Sequence, residues 1–429
     1  MTVPAPRPVT VPASRRVVVT GMGAVTPLGA DLATTWERLL AGESGIRPIA
    51  SFDASRVASR IAGEVLDADP SRVLDRKAIR RTDRATQLSL LATQEAMADA
   101  GLPERLDGPL ADATGAFVGT GFGGAATIFD EIRTYVERGP DRISPFFVPM
   151  AIANMTAGQI GLVLGARGPN MATVSACASG GHAIGEAAES IRRGDAEVML
   201  AGGTEATVLE GIVGAFAAMK ALSTRNDDPA GASRPFDRGR DGFVMAEGAA
   251  TLVLEDLGHA RARGVRILAE LVGYAASADA YHLTLPAPGA SGAVRAARRA
   301  FEKAGLSPDQ VEMVSAHATS TPEGDRAELG GLHELFGERG AAPPVTATKG
   351  ALGHTLGAAG AIAAALTVRG MVDGRVPPTL NLDDPDPDAA GLDLVRGEAR
   401  DGTFGVAMVN AFGFGGQNSV LLFRRWAEA

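Results

Sequence analysis

The sequence predicts an α/β protein made of two similar halves. Short β-branched runs alternate along the chain with longer segments of helical spacing, which is typical of βαβ units whose mostly parallel sheets are covered on both faces. The 429 residues exceed the usual size of one hydrophobic core, and the 54 glycines fit a fold with many sharp turns. A weak internal repeat supports two halves, because each runs through a strand, a sharp turn, a Gly/Ala-rich helix and a closing pair of strands.

The elements follow this plan in order. Four prolines in residues 1–15 forbid an amphipathic helix, so this stretch is predicted to be a disordered tail. The first half, residues 16–264, opens on the apolar strand Arg16-Val-Val-Val-Thr and closes on a hairpin-like segment at 242–255. The second half, residues 265–429, closes in the same way at 405–423. Small residues in the central helix of each half would let these two helices pack back to back.

Composition excludes several classes of partner. The formal net charge is −9, which argues against binding to nucleic acid or to an anionic membrane surface. No apolar run reaches the length of a membrane span, and no signal-peptide core precedes the first strand. A single cysteine excludes an internal disulfide and fits a reducing compartment, so we expect a cytoplasmic protein.

That single cysteine, Cys177, lies in Thr173-Val-Ser-Ala-Cys-Ala-Ser-Gly-Gly181. Apolar and β-branched residues precede it and tiny residues follow, which predicts a buried strand that breaks sharply into a helix, with the thiol at the helix N-terminus. The helix dipole and free N–H groups at such a position can lower the pKa of a thiol. Most free cysteines are small buried hydrophobes, but a tight strand-to-helix turn favours a nucleophile.

Two of the six histidines lie where strands are predicted to end. His317 follows the apolar run 311–316, and His354 closes the segment Thr346-Ala-Thr-Lys-Gly-Ala-Leu-Gly-His354. Because α/β proteins place their chemistry at strand ends, both are candidate partners of Cys177. Three other histidines are interpreted as structural: His182, His259 and His333.

Four motifs occur in order across nearly the whole chain: Ala176-Cys-Ala-Ser-Gly180, His317-x-Thr-Ser-Thr-Pro322, Thr348-Lys-Gly-x-x-Gly-His354 and Gly413-Phe-Gly-Gly416. Together they resemble the elongating β-ketoacyl-acyl-carrier-protein synthases of type II fatty-acid synthesis. The resemblance implies a thiolase-like fold, a five-layered αβαβα sandwich with one internal duplication. It also implies a decarboxylative Claisen condensation that needs no cofactor and no metal, with substrates delivered on the phosphopantetheine of acyl carrier protein.

The same resemblance implies the roles of the site residues. Cys177 would accept the acyl group as a thioester, and the carbanion formed when malonyl carrier protein loses CO2 would attack that thioester. His317 and His354 would polarise the malonyl carbonyl as neutral donors. The backbone N–H groups of Cys177 and Phe414 would form the oxyanion hole.

Two charged groups complete the implied catalytic set. Lys349 would hold positive charge in the site, paired with Glu328, and Asp325 would anchor the His317 loop. The residues matched to the acyl pocket are Phe122, Phe147, Phe216, His282 and Thr284. Phe122 stands where related enzymes usually carry a smaller aliphatic residue, which predicts a shorter or differently gated pocket.

Partners follow from the same resemblance. An acyl carrier protein needs cations near the entrance of the site, and the candidate docking residues are Arg76, Lys77, Arg80, Arg81, Arg84, Lys220 and Arg225. The chain is expected to form a dimer with itself or with a related subunit, with Phe147 contributing across the interface.

Three departures inside the motifs leave the pathway open. Ala318, Gly350 and Gln417 stand where the family usually has Gly, Ser and Thr, and none of these changes removes a catalytic group. The alternative function is therefore a ketosynthase of a type II polyketide or polyene pathway working with a chain-length partner. Outside enzymes, the alternative is a non-catalytic chain-length or scaffold subunit.

Other activities fit the sequence less well. Thiolases need a second cysteine, and chain-initiating synthases have asparagine in the place of the second histidine. A metal hydrolase would have to use His317, Asp325, Glu328 and His354, whose spacing matches no ligand motif.

Overall fold

The computed structural model describes residues 15–337 and 342–427. Within them the strands are β1 Val17–Val25, β2 Ile46–Pro48, β3 Ile61–Gly63, β4 Thr114–Gly119, β5 Asn170–Thr173, β6 Val198–Glu205, β7 Gly248–Asp256, β8 Ala269–Ala278, β9 Met313–Ser315, β10 Pro344–Thr346, β11 Arg375–Val376, β12 Asp393–Leu394, β13 Arg400–Asp401, β14 Val406–Gly413 and β15 Gln417–Arg425. The helices are α1 Leu32–Leu40, α2 Arg76–Ile79, α3 Arg84–Asp99, α4 Gly108–Asp112, α5 Ala125–Arg138, α6 Phe147–Ala151, α7 Met155–Leu164, α8 Ser179–Arg193, α9 Glu210–Ala218, α10 Leu257–Arg263, α11 Ser291–Ala304, α12 Pro322–Phe336, α13 Lys349–Leu352 and α14 Ala359–Asp373.

The main sheet repeats one strand plan on its two sides. Its order is β12-β10-β9-β14-β15-β8-β1-β7-β6-β4-β5, and β1 and β8 meet antiparallel at the centre. Outward from β1 through β7, β6, β4 and β5, the first two pairings are antiparallel and the next two are parallel. Outward from β8 through β15, β14, β9 and β10, the same directions recur. The predicted internal duplication is therefore confirmed.

Two central helices lie between the two groups of strands, β1 with its neighbours out to β5 and β8 with its neighbours out to β10. The helices α8 and α14 pack against each other between the two sides, while α3 covers β1 and β7, and α11 covers β8 and β15. Glycine makes the central contact possible, because a Cβ added at Gly180 would lie 2.9 Å from the Ala361 nitrogen, and one at Gly360 would lie 2.7 Å from the Gly181 nitrogen. The molecule is therefore the five-layered αβαβα sandwich that the resemblance implies.

The second central helix is unusually apolar. The expectation that no apolar run reaches the length of a membrane span was wrong, because the segment Leu356–Asp373 is long and apolar enough by composition. However, 83% of this segment is buried inside the protein. Most of its alanines belong to the largest hydrophobic cluster, together with those of α8. A buried helix between two sheets must be apolar all round, which explains this composition.

The predicted ends of the chain halves fall at exposed positions. The tail predicted for residues 1–15 lies, up to residue 14, outside the described residues, while Arg15 forms an ion pair with Glu197 at 2.7 Å. Gly264, the predicted boundary between the halves, ends α10 in the left-handed conformation that glycine favours, just before β8. The boundary at residue 264 stays a prediction.

Candidate active site

The cysteine turn follows β5, the last strand on its side of the sheet. This strand is half-exposed along its length, so the expectation of a buried strand before Cys177 was wrong. The chain then turns through Ala176, which has a φ of 50°. Ser179 fixes the turn, because its Oγ accepts a hydrogen bond from the Ser175 nitrogen at 2.9 Å and donates one to the Ala176 carbonyl at 2.6 Å. Cys177 is thereby presented just before α8 begins.

Burial controls the state of the thiol. The walls around Cys177 remove its hydration and raise its pKa to about 12, although Lys349 and the backbone N–H groups of Cys177 and Phe414 act to lower it. The expectation of a lowered pKa was therefore wrong, because the loss of hydration outweighs the favourable groups around the sulfur. The same backbone contacts also concern the predicted oxyanion hole, because the N–H groups of Cys177 and Phe414 both approach the sulfur.

The two histidines come from neighbouring parallel strands. His317 follows β9 and His354 follows β10 and α13, so the two rings meet with their centroids 5.5 Å apart and an interplanar angle of 85°. Burial, with the nearby charge of Lys349, holds the pKa of both imidazoles well below the usual range. Both rings are therefore neutral near pH 7.

The surroundings also assign the position of the imidazole protons. The Nδ1 atoms of His317 and His354 are buried and have no hydrogen-bond partner among the described residues. A buried N–H without an acceptor is costly, so the proton of each neutral ring belongs on Nε2. Each ring can then donate one hydrogen bond through Nε2.

The His317 segment is held through its backbone. The carboxylate of Glu328 accepts hydrogen bonds from the backbone nitrogens of His317, at 2.8 Å, and Ala318, at 2.6 Å, and also from Asn410 Nδ2 at 2.9 Å. Asp325 accepts from the Ser320 nitrogen at 3.0 Å and so holds the other end of this loop. Two buried carboxylates thus position one catalytic candidate.

Lys349 differs from its expected pairing. Its Nζ donates to the carbonyl oxygen of His317, and among the described residues it forms no direct ion pair with Glu328. The expected pair is therefore wrong as a contact, although the charge of Glu328 acts to raise the pKa of Lys349. Burial outweighs that effect and lowers this pKa to about 8, so that the ammonium form prevails near pH 7.

One cavity unites most of the predicted site. It encloses about 560 Å³, and the predicted residues that line it are Cys177, His317, His354, Glu328, Phe414, Phe122, Phe216, Thr284 and Lys220. The aromatic residues form a continuous wall: Phe216 lies 6.3 Å from Phe122 and 6.4 Å from Phe414, measured between ring centroids. The cavity can therefore take an apolar chain beside the thiol.

The remaining pocket predictions fall outside this wall. Phe147 begins α6 and His282 lies on an exposed loop, and neither lines the cavity. The His282 Nδ1 instead accepts hydrogen bonds from the backbone nitrogens of Thr284 and Leu285, each at 3.1 Å. His282 thus shapes the loop that places Thr284.

The predicted docking cations have different surroundings. Arg84 is exposed and forms two hydrogen bonds with the buried carboxylate of Glu247, at 2.6 and 2.7 Å, so it also has a structural contact, and its assignment to docking stays a prediction. Arg225 is partly buried and donates to a backbone carbonyl at 2.9 Å, and Arg81 lies 4.1 Å from the Phe146 ring. The other cations of the set, like Arg81 and Arg84, are exposed: Arg76, Lys77, Arg80 and Lys220.

Sequence reasoning missed supporting residues around the site. His182 Nε2 donates to the carbonyl oxygen of Asn418 at 3.2 Å, so its Nδ1 accepts from the Ser175 hydroxyl at 2.6 Å and supports the cysteine turn. Phe412 packs on His317 and Phe243 on His354, with centroids 5.4 and 5.2 Å apart. Closeness in the sequence to predicted site residues could have indicated two of these residues. His182 lies five residues after Cys177, and Phe412 lies two residues before Phe414.

Comparison with known proteins identifies relatives of the whole chain. Residues 14–260 match the family described as beta-ketoacyl synthase, N-terminal domain, and residues 268–383 match its C-terminal domain. The 3-oxoacyl-[acyl-carrier-protein] synthase 2 of Synechocystis sp. is 46% identical over 412 residues, covering 96% of this chain and 98% of the relative.

Solved structures agree with this comparison. A beta-ketoacyl synthase from Burkholderia phymatum superposes with a TM-score of 0.89 at 38% identity, covering 96% of this chain and all of the other. A ketosynthase solved with its type II polyketide acyl-carrier protein and a bound hexaketide, AntDE:AntF, superposes with a TM-score of 0.87 at 32% identity and the same coverage.

Proposed function

The chain belongs to the β-ketoacyl synthase family, and we propose that Cys177, His317 and His354 carry out its condensation of a cysteine-bound acyl chain with malonyl-acyl carrier protein. The enzyme extends a fatty-acyl chain by decarboxylative Claisen condensation. The observation that carries the assignment of residues is the single cavity, in which a thiol, two neutral histidines and two backbone N–H groups face one apolar wall.

The first half-reaction loads the acyl chain. The sulfur of Cys177 attacks the carbonyl carbon of the acyl thioester, and the carrier thiol leaves with the proton that the cysteine gives up. The N–H groups of Cys177 and Phe414 stabilise the negative charge that develops on the carbonyl oxygen. Because the resting thiol is neutral, loss of its proton must accompany the attack.

The second half-reaction makes the carbon–carbon bond. The Nε2–H groups of His317 and His354 donate to the thioester oxygen of malonyl carrier protein, so that cleavage of the carbon–carboxylate bond releases CO2 and leaves an enolate. The enolate carbon attacks the acyl–Cys177 carbonyl, and the cysteine thiolate leaves and takes up a proton from solvent. Burial, together with the nearby positive charge of Lys349, keeps both histidines neutral.

The size of the acyl group follows from the aromatic wall. Phe122 is 44% exposed and stands edge-on to Phe216 at the cavity surface. A smaller side chain there would extend the space beside the thiol, so we infer that Phe122 limits the length of acyl chain that the enzyme accepts.

The partner proteins are an acyl carrier protein and a second copy of this chain. Among the described residues no strand pairs with the outer edge of β5. On this strand Met171 is 42% exposed, and the adjacent Val174 is 59% exposed. An uncovered edge strand with exposed apolar groups favours pairing with another chain. We infer a homodimer joined along β5, and light scattering of Met171→Lys should show a monomer.

A direct assay tests the proposed reaction. Purified protein is mixed with malonyl-acyl carrier protein and with carriers bearing saturated chains or polyenes, and the products are identified by mass spectrometry. A 3-oxoacyl product two carbons longer than a saturated donor supports fatty-acid elongation. Extension of polyenes alone would instead assign the chain to a polyketide pathway, and no product from any donor would contradict the assignment. We expect the enzyme in the cytoplasm, where fractionation can locate it.

A further inference from the structure

A buried carboxylate outside the catalytic set joins two walls of the cavity. Glu205, the last residue of β6, is fully buried and forms no ion pair with any described residue. Its Oε2 accepts hydrogen bonds from the backbone nitrogens of Gly121, at 2.7 Å, and Gly357, at 3.0 Å. Its Oε1 accepts from Thr120 Oγ1 at 3.1 Å and from the Phe122 nitrogen at 3.2 Å.

The two segments held by Glu205 have different tasks. The segment 120–122 carries Phe122, the aromatic that limits the acyl chain, whereas Gly357 lies three residues after His354. Leu356, between them, also lines the cavity and adopts a φ of 44°, which a leucine rarely does. One carboxylate thus ties the acyl pocket to the turn that follows a decarboxylation residue.

Glycine at both contacts makes this close approach possible. A Cβ built on Gly121 or on Gly357 would lie 2.7 Å from Glu205 Oε2, closer than carbon and oxygen can pack. The backbone of each segment can therefore reach the carboxylate only because neither residue has a side chain.

Comparison with a second carboxylate, that of Glu95, shows what is specific to Glu205. Glu95 is also largely buried, and it accepts backbone hydrogen bonds from Ala24, at 2.9 Å, and Leu32, at 2.8 Å. Burial raises the pKa of both carboxyls to about 7. Neither segment held by Glu95 lines the cavity, whereas both segments held by Glu205 do, and the charge of Glu205 also acts on the pKa of Cys177.

We propose that Glu205 is a positioning residue that sets the alignment of the acyl pocket with His354, by holding the turns at 120–122 and 356–358 with one carboxylate. This inference rests on the proposed function, since it concerns the same site. Its consequence is that Glu205 governs acyl-chain selectivity and the condensation step more than it governs loading of Cys177.

The test compares Glu205→Gln with the control Glu95→Gln. Each change keeps the side-chain volume but points an amide N–H₂ at backbone donors. For Glu205→Gln we expect a condensation kcat lower by about 10- to 100-fold, a changed chain-length profile, and a much smaller change in the rate of acyl loading. Glu95→Gln should lower the melting temperature while keeping the wild-type profile and the wild-type ratio of condensation to loading.

A second readout does not depend on acyl chemistry. Alkylation of Cys177 by iodoacetamide is followed against pH, since only the thiolate reacts. Because the negative charge of Glu205 raises the pKa of this thiol, Glu205→Gln should move the alkylation profile to lower pH. Glu95→Gln should leave the profile in place. If the wild-type enzyme condenses nothing, the proposed function fails, and this readout still tests Glu205.

The opposite results overturn the proposal. One such result is a Glu205→Gln enzyme with an unchanged product profile and an unmoved alkylation curve. The other is a Glu205→Gln enzyme that loses loading and condensation equally, in proportion to its loss of thermal stability, and so behaves like Glu95→Gln. Should Glu205→Gln fail to fold, Thr120→Val removes one hydrogen bond to the carboxylate and should produce a smaller change of the chain-length profile. A folded Thr120→Val with the wild-type profile would also count against the proposal.

Discussion

The two halves of the molecule share one strand plan and differ at the ends of equivalent strands. After β5 stands Cys177, the proposed nucleophile, whereas after the equivalent β10 stand Lys349 and His354. After β4 stands the apolar Phe122, whereas after the equivalent β9 stands His317. The duplicated scaffold brings both sets of strand ends to one cavity, and the chemistry lies in the residues that follow the strands.

The difference separates two tasks. The first half supplies the thiol and, through Phe122 and Phe216, much of the wall for an apolar chain. The second half supplies groups that act on negative charge, since its buried lysine and neutral histidines can stabilise an enolate. Changes in the first half should therefore affect acyl loading and chain length, and changes in the second half should affect condensation. Four changes test this difference, from the largest expected effect to the smallest.

Replacement of Cys177 by alanine should abolish loading. Without the sulfur no thioester can form, so we expect condensation to fall by on the order of 10⁴-fold or more, while decarboxylation of malonyl carrier protein continues at the histidines. Release of CO2 and formation of the 3-oxoacyl product are measured separately. A Cys177→Ala enzyme that still condenses would show that another group is the nucleophile.

Replacement of His354 by alanine should spare loading and impair condensation. Removing one preformed donor to a developing oxyanion costs roughly 10²–10³-fold in rate, and we expect this loss in the rate at which a preloaded acyl enzyme reacts with malonyl carrier protein. His333→Ala is the matched control, because this half-buried histidine does not line the cavity, and among the described residues its ring hydrogen-bonds to the Asp388 carbonyl at 2.8 Å. Equal losses in both variants would contradict the assignment.

Condensation should fall as the pH rises through about 8. Burial lowers the pKa of Lys349 to that value, so above it the ammonium loses its proton and its positive charge. The thiol of Cys177 titrates only near pH 12 and does not contribute in this range. In Lys349→Met the rate should be lower and this alkaline decline should disappear. A decline that persists in Lys349→Met would assign it to another group.

Replacement of Phe122 by alanine should lengthen the products. The space left by the ring extends the apolar wall, and a change of this kind in a hydrophobic pocket is worth roughly tenfold in kcat/KM between neighbouring chain lengths. Phe129→Ala on α5 serves as the control, since Phe129 does not line the cavity. An unchanged product profile in Phe122→Ala would contradict the role of this ring.

Local pattern predicted much of the fold and of the site. The strands before His317 and Lys349, the duplication and the convergence of Cys177 with both histidines follow from residues whose order along the chain fixes their place in an α/β unit. The close packing of the central helices likewise follows from their small residues.

What depended on distant contacts could not be predicted. The exposure of β5 is set by its place at the sheet edge, the pKa of Cys177 by the walls around it, and the partner of Arg84 by a residue 163 positions away. The hydrogen bond of Lys349 to a backbone carbonyl, and the contacts of Glu205 with two glycines, also arise only after folding.

Intact mass of the enzyme, before and after addition of malonyl carrier protein, tests the division between the halves most directly. Wild-type protein incubated with acyl carrier protein should gain the mass of the acyl group and lose it when malonyl carrier protein is added. His354→Ala should gain the same mass and keep it, and Cys177→Ala should never gain it. A His354→Ala enzyme that fails to gain the mass, or loses it at the wild-type rate, would contradict the account.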